Sequence, residues 1–135
     1  MALQLSTSVR NARLDAIETT ISTSAIMKIR SGSAPADCAT ADSGTVLASL
    51  TLPSDWLAAA SSGSKAKSGT WQDASADATG TAAHFRIYES TATTCHIQGT
   101  VTATGGGGDL TLDNTSIASG QSVTITSFSI TDANA

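Results

Sequence analysis

The sequence predicts an all-β chain, an antiparallel β-sandwich of jelly-roll or Ig-like type with one N-terminal amphipathic helix. Three observations lead there. Short runs rich in Val, Ile, Leu and Thr recur between clusters of Gly, Pro, Asp and Ser that mark turns. No helical pattern separates consecutive strands, so strand–helix–strand units are not expected. The chain holds 20 Ser and 21 Thr but only 4% aromatics. A close-packed interior needs complementary volumes, so such a composition suits short strands in thin layers. At 135 residues the chain has one domain's length. We divide it into a helical docking segment, 1–24, and a β-sandwich domain, 25–135.

The helix comes first. In LSTSVRNARLDAIETTIS, Val9, Ala12, Ala16, Ile17 and Ile21 recur near helical spacing, and Leu14 extends the stripe. Ser6 or Thr7 supplies an N-cap, and Arg10, Arg13, Asp15 and Glu18 fall on the polar side. An isolated helix of about 14 residues is marginal in water, so it docks on the rest of the domain or on a neighbouring subunit. AIMKIRSG alternates as a half-buried strand. SAPADCATADSG is a loop, and TVLASLTL is a strand closed by Pro53. Residues 54–80 are irregular, anchored by Trp56, Leu57 and Trp71. HFRIYE and CHIQGTV form a hairpin around STATT. GGGG at 105–108 is a flexible loop tip, with no phosphate-binding pattern and no helix after it. LTLDN and one final strand, SVTITSFSIT, complete about seven or eight strands.

A net charge of −4 with scattered cations argues against nucleic acid, whose binding depends on clustered Lys and Arg. No apolar run approaches the roughly 18 residues of a membrane helix, so no membrane partner is expected. The first residues lack the basic-then-apolar order of a secretory signal, which predicts synthesis in the cytoplasm. Cys38 and Cys95 are too few for a disulfide scaffold. Free thiols, an intrachain bridge and an intersubunit bridge all remain open, and a bridge requires Cα atoms within about 7 Å.

Residues 84–98 gather two histidines, a cysteine, a tyrosine, a glutamate and an arginine. In the simplest hairpin register Glu89 faces Cys95, Tyr88 faces His96, Ile87 faces Ile97, Arg86 faces Gln98, Phe85 faces Gly99 and His84 faces Thr100. Strand alternation then gives a core face of Phe85, Ile87, Ile97 and Val101. The other face carries His84, Arg86, Tyr88, His96, Gln98 and Thr100. The two histidines stand four ladder positions apart, roughly 13 Å, too far to share a metal held at about 2 Å. Cys95 and His96 point to opposite faces, which opposes nucleophilic catalysis by that pair. Asp73, Asp77 and Glu89 have no spacing that fixes them as a hydrolytic pair. We therefore expect no catalytic, metal-binding or cofactor-binding residues. His84, Arg86, Tyr88 and His96 are either a solvated sheet face or a contact surface, for which Tyr and Arg are favoured. Trp56 and Trp71 are either core bricks or an exposed sugar platform.

Five segments carry a resemblance: LSTSVRNARLDAI (5–17), MKIRSGSAPAD (27–37), TVLASLTL (45–52), SADATGTAAHFRIYES (75–90) and DLTLDNTSIASGQSVTITSFSIT (109–131). Together they resemble small β-rich structural proteins of tailed-bacteriophage virions, of decoration or collar type. The resemblance is strongest in the helix, in ADATGTA-x-x-FR and in NTSI-x-x-GQ-x-V-x-I, which are folding motifs rather than catalytic ones. It implies a non-enzymatic virion protein assembled in the host bacterial cytoplasm. Its partners would be other copies of itself and major capsid or neck proteins. Val9, Arg10, Arg13, Leu14 and Ile17 of the helix would be docking residues. A capsid decoration (cement) protein on the particle exterior is the first expectation, and a neck, collar or tail component the second. A carbohydrate-binding host-adsorption module is a third, which requires exposed tryptophans. If Cys38 and Cys95 bridged subunits, they would lock the shell outside the reducing cytoplasm.

Overall fold

The computed structural model describes residues 2–133. These residues form one helix, α1 (Thr7–Ile21), and eleven short strands. The strands are β1 (Ile26–Arg30), β2 (Val46–Thr51), β3 (Ser64–Ala66), β4 (Trp71–Asp73), β5 (Gly80–Thr81) and β6 (His84–Tyr88). They continue with β7 (Cys95–Ala103), β8 (Leu110–Leu112), β9 (Ser116–Ile117), β10 (Val123–Ile125) and β11 (Ser129–Thr131). The fold is mostly β, as the composition predicts.

A five-stranded sheet in the order β2-β1-β6-β7-β8 forms the centre. Its first three pairings are antiparallel, with Met27 opposite both Leu50 and Ile87. The pair β7–β8 is parallel, a departure from the wholly antiparallel expectation. Parallel neighbours ordinarily need a crossover of a dozen or more residues, and here only 104–109 intervene. The glycine run makes this return possible. A side chain on Gly108 would meet the Thr102 backbone nitrogen at 2.9 Å, and the Gly108 N–H donates to Thr102 Oγ1 at 3.0 Å. Gly106 and Gly108 thus make close approaches to Thr102, while Gly105 and Gly107 have open space around them, as at a loop tip.

Two-stranded pairs β10–β4, β11–β3 and β5–β9 complete the described residues. The predicted single strand over SVTITSFSIT is broken. Thr126 and Ser127 are both exposed, which shifts the alternation by one residue and turns Phe128 inward. Phe128 packs on Trp71 at 5.4 Å and edge-on to Phe85 at 5.7 Å, and Trp56 lies 6.0 Å from Trp71. Such tilted aromatic pairs add to the stabilisation from burial alone. Trp56 and Trp71 are both 0% exposed. They are core bricks, and the sugar platform is removed.

Ser6 caps α1 by accepting from the Val9 N–H at 3.3 Å. The buried stripe is Leu14 and Ile21, with Ile17 packed against the core. Ala12 and Ala16 are exposed, unlike the predicted stripe. Asp15 and Glu18, assigned to the polar side, instead face buried Lys65, whose Nζ lies 2.8 Å from Asp15 and 3.3 Å from Glu18. A buried ammonium requires such partners, and that requirement sets the rotation of the helix. Gly63 N–H donates to Asn11 and Arg10 donates to the Asp132 carbonyl. The helix is docked on its own domain, the first of the two options its marginal length allowed.

Candidate functional site

The β6 side of the hairpin's polar face is covered, while His96 and Thr100 on β7 stay exposed. Segment 31–45 folds back over the β6 side, so His84, Arg86 and Tyr88 are 0, 1 and 2% exposed. This corrects their assignment to an open contact surface. The reason lies in the loop's own groups, which accept from the terminal guanidinium nitrogens and the tyrosine hydroxyl beneath it. Asp42 accepts from Arg30 Nη2 at 2.8 Å, from Tyr88 Oη at 2.7 Å and from Arg86 Nη1. Arg86 Nη2 donates to the carbonyls of Asp37, Cys38 and Thr40 at 3.0–3.1 Å. His84 Nδ1 lies 2.7 Å from the Gly32 carbonyl, and Gln98 donates to the Pro35 carbonyl at 2.8 Å.

The loop closes at its base, where the Ser31 N–H donates to the Thr45 carbonyl at 3.0 Å. Gly44 sits there at φ +71°, and a side chain on it would overlap the Ser31 carbonyl. Only glycine takes this position without strain. Burial opposes ionisation of Asp42, yet the hydrogen bonds from Tyr88 and Arg86 and the charges of both arginines hold its carboxyl below the usual range. Burial, helped by the neighbouring carboxylate, pushes the Tyr88 hydroxyl up to about 12. The cluster is a fastening in which two guanidinium groups share one carboxylate, backbone carbonyls meet the rest of Arg86, and the tyrosine is a neutral donor.

The register holds as predicted from His84–Thr100 to Ile87–Ile97, then a bulge opposes Tyr88 to Cys95 rather than to His96. A bulge inserts one unpaired residue and re-aims the side chains beyond it. Cys95 therefore joins the Arg86–Tyr88 face beneath the loop, which corrects its placement toward the core. Cys38 lies against it, and both are free, half-buried thiols. His96 turns toward Glu89, with Nε2 at 3.5 Å from Oε2. Glu89 also accepts from the Thr91 hydroxyl and from the Thr93 and Thr94 N–H groups. These bonds order the STATT turn and hold the Glu89 carboxyl down at about 2.

The remaining candidates also resolve. Asp73 and Asp77 both bind Ser49, one at its N–H and one at its hydroxyl, each 2.9 Å away. They meet on β2, while Glu89 serves its own turn. Of the helix residues expected to dock, Leu14 is buried in this chain and Ile17 half-buried. Arg10 and Arg13 bind Asp132. Val9 is exposed at 46%, and Leu3 at 83%. No cluster of three or more metal-ligating side chains occurs among the described residues.

One open groove of about 970 Å³ runs between α1, β7 and β11. Its apolar lining includes Ile17, Phe85, Ile97, Phe128 and Ile130, with His96 and Asp109 at its polar points. β8 pairs with β7 only over Val101–Ala103, so among the described residues Cys95–Thr100 have a strand neighbour on one side only. Sequence reasoning missed this groove, the bulge and the role of Asp42. The signal for Asp42 was present as an arginine on each of two neighbouring strands, Arg30 of β1 and Arg86 of β6, beside a loop carrying two aspartates. Comparison with protein-family models, with curated proteins and with solved structures gives no match.

Proposed function

We propose that this chain is a non-enzymatic structural protein of a tailed-phage virion, a capsid decoration (cement) protein on the particle exterior. A β-sandwich is part of the same proposal: the five-stranded sheet and the small pairs act as two walls around the aromatic core. Two things support it. The sequence segments resemble those of small virion proteins. The titratable groups that first suggested chemistry are engaged in fastening a loop, which gives a rigid unit rather than a reacting centre.

The observation that carries the reading is the groove bordered by the one-sided edge of β7. An unpaired edge accepts an extended segment as an added strand, and adjacent apolar pockets select its side chains. We assign this groove to the arm around Leu3 of a second copy, because that arm holds a leucine in solvent with no strand of its own. A protein that binds only the assembled lattice stabilises it by mass action.

The test is incorporation. Purified particles of the phage that encodes this chain should contain it in many copies per particle, and Ile97→Asp in the groove or Leu3→Asp in the arm should reduce its retention. Absence of the chain from purified particles would overturn the proposal.

A further inference from the structure

We propose that Cys38 and Cys95 form an intrachain disulfide that staples the 31–45 loop to β7 in an oxidising compartment. The bond rests on residue placement and is independent of the virion reading. Three contacts bring the pair together. The bulge opposes Cys95 to Tyr88, beneath the loop. Arg86, two residues before Tyr88, holds the carbonyl of Cys38 at 3.0 Å. Gln98, three residues after Cys95, holds the carbonyl of Pro35 at 2.8 Å. With the Thr40 carbonyl also held by Arg86, the loop is fastened on both sides of the cysteine it carries, and the Cys38 thiol lies close enough to the Cys95 thiol to oppose its ionisation, while Cys95 Sγ donates to the Ile97 carbonyl at 3.3 Å.

The oxidant is a low-molecular-weight disulfide, for which oxidised glutathione serves. Burial and the nearby Cys38 push the Cys95 thiol up to about 11, so Cys95 is held as the thiol and the exchange opens at Cys38. Its thiolate attacks one glutathione sulfur, the glutathione S–S bond breaks, and one glutathione leaves. The Cys95 thiolate attacks the Cys38 sulfur of the mixed disulfide and releases the second glutathione. Two protein thiols are oxidised, one glutathione disulfide is reduced to two thiols, and the two protein protons end on them.

The experiment uses the full chain, reduced and then equilibrated with excess oxidised glutathione. We expect loss of both titratable thiols, a mass lower by two hydrogens, and a monomer band that migrates faster on a non-reducing gel. Closing so long a loop should raise the thermal midpoint by about 5–15 °C, and Cys38→Ser should abolish that gain. Two persistently titratable thiols, a stable glutathione adduct, or a disulfide-linked dimer would each overturn the proposal.

Discussion

Replacing Asp42 with alanine removes the shared acceptor of three buried donors. The Arg30 and Arg86 side chains are 7% and 1% exposed, whereas that of Asp42 is 40% exposed. Deleting one partner of a fully buried ion pair costs about 3–5 kcal/mol. Solvent at the Asp42 side screens the pair, and Arg86 keeps three backbone carbonyls. Arg30 keeps only long contacts of 3.4 Å to the Ser43 carbonyl and the Tyr88 hydroxyl. We therefore expect a loss of about 2–3 kcal/mol. For a chain of this length the unfolding entropy is roughly 0.28 kcal/mol/K, so the thermal midpoint should fall by about 7–11 °C. Urea unfolding at neutral pH, followed by circular dichroism, measures the difference directly. Asp42→Asn, which keeps one acceptor, should lose about half as much. A variant D42A within about 0.5 kcal/mol of the parent, the usual scatter of surface substitutions, would refute the fastening role of the cluster.

Two further outcomes rest on the same geometry. Gly44→Ala forces a side chain into the Ser31 carbonyl at φ +71° and should cost at least about 2 kcal/mol, read in the same urea assay; an unchanged midpoint would contradict the closed loop base. Acid should destabilise the protein through its depressed carboxyls. Glu89 lies at about 2 and Asp42, Asp37 and Asp15 are lowered. Each therefore contributes stability that is present above its unfolded value near 4 and lost as pH falls toward 2. Tyr88 is raised to about 12, so its contribution is intact below pH 10 and lost between 10 and 12. Thermal midpoints that stay flat from pH 6 to pH 2.5 would contradict the acid arm.

Much of the fold was legible where local pattern and tertiary need agreed. Met27 and Ile29 alternate with Ile26, Lys28 and Arg30 and are buried as the period requires. Four register pairs of the hairpin, His84–Thr100 through Ile87–Ile97, follow from the turn alone. The misses share one cause, which is that burial of polar groups is decided by distant partners. His84, Arg86 and Tyr88 read as a wet face because their partners, Asp42 and the carbonyls of 32–40, lie more than forty residues away in sequence. Lys65 and its helix partners Asp15 and Glu18 mislead for the same reason. The Cys95 bulge leaves no trace in alternation, because one extra residue looks the same in sequence as a longer turn. Phe128 sits between two strands rather than within one, since the two exposed residues before it reset the phase.

A reconstruction of the phage particle tests the central claim most directly. We expect density for this β-domain in many symmetric copies on the outer capsid surface, with the groove beside β7 filled by an extended segment of a second copy. Density confined to the neck or tail would contradict the decoration role. Its absence from the whole particle would contradict the structural role itself.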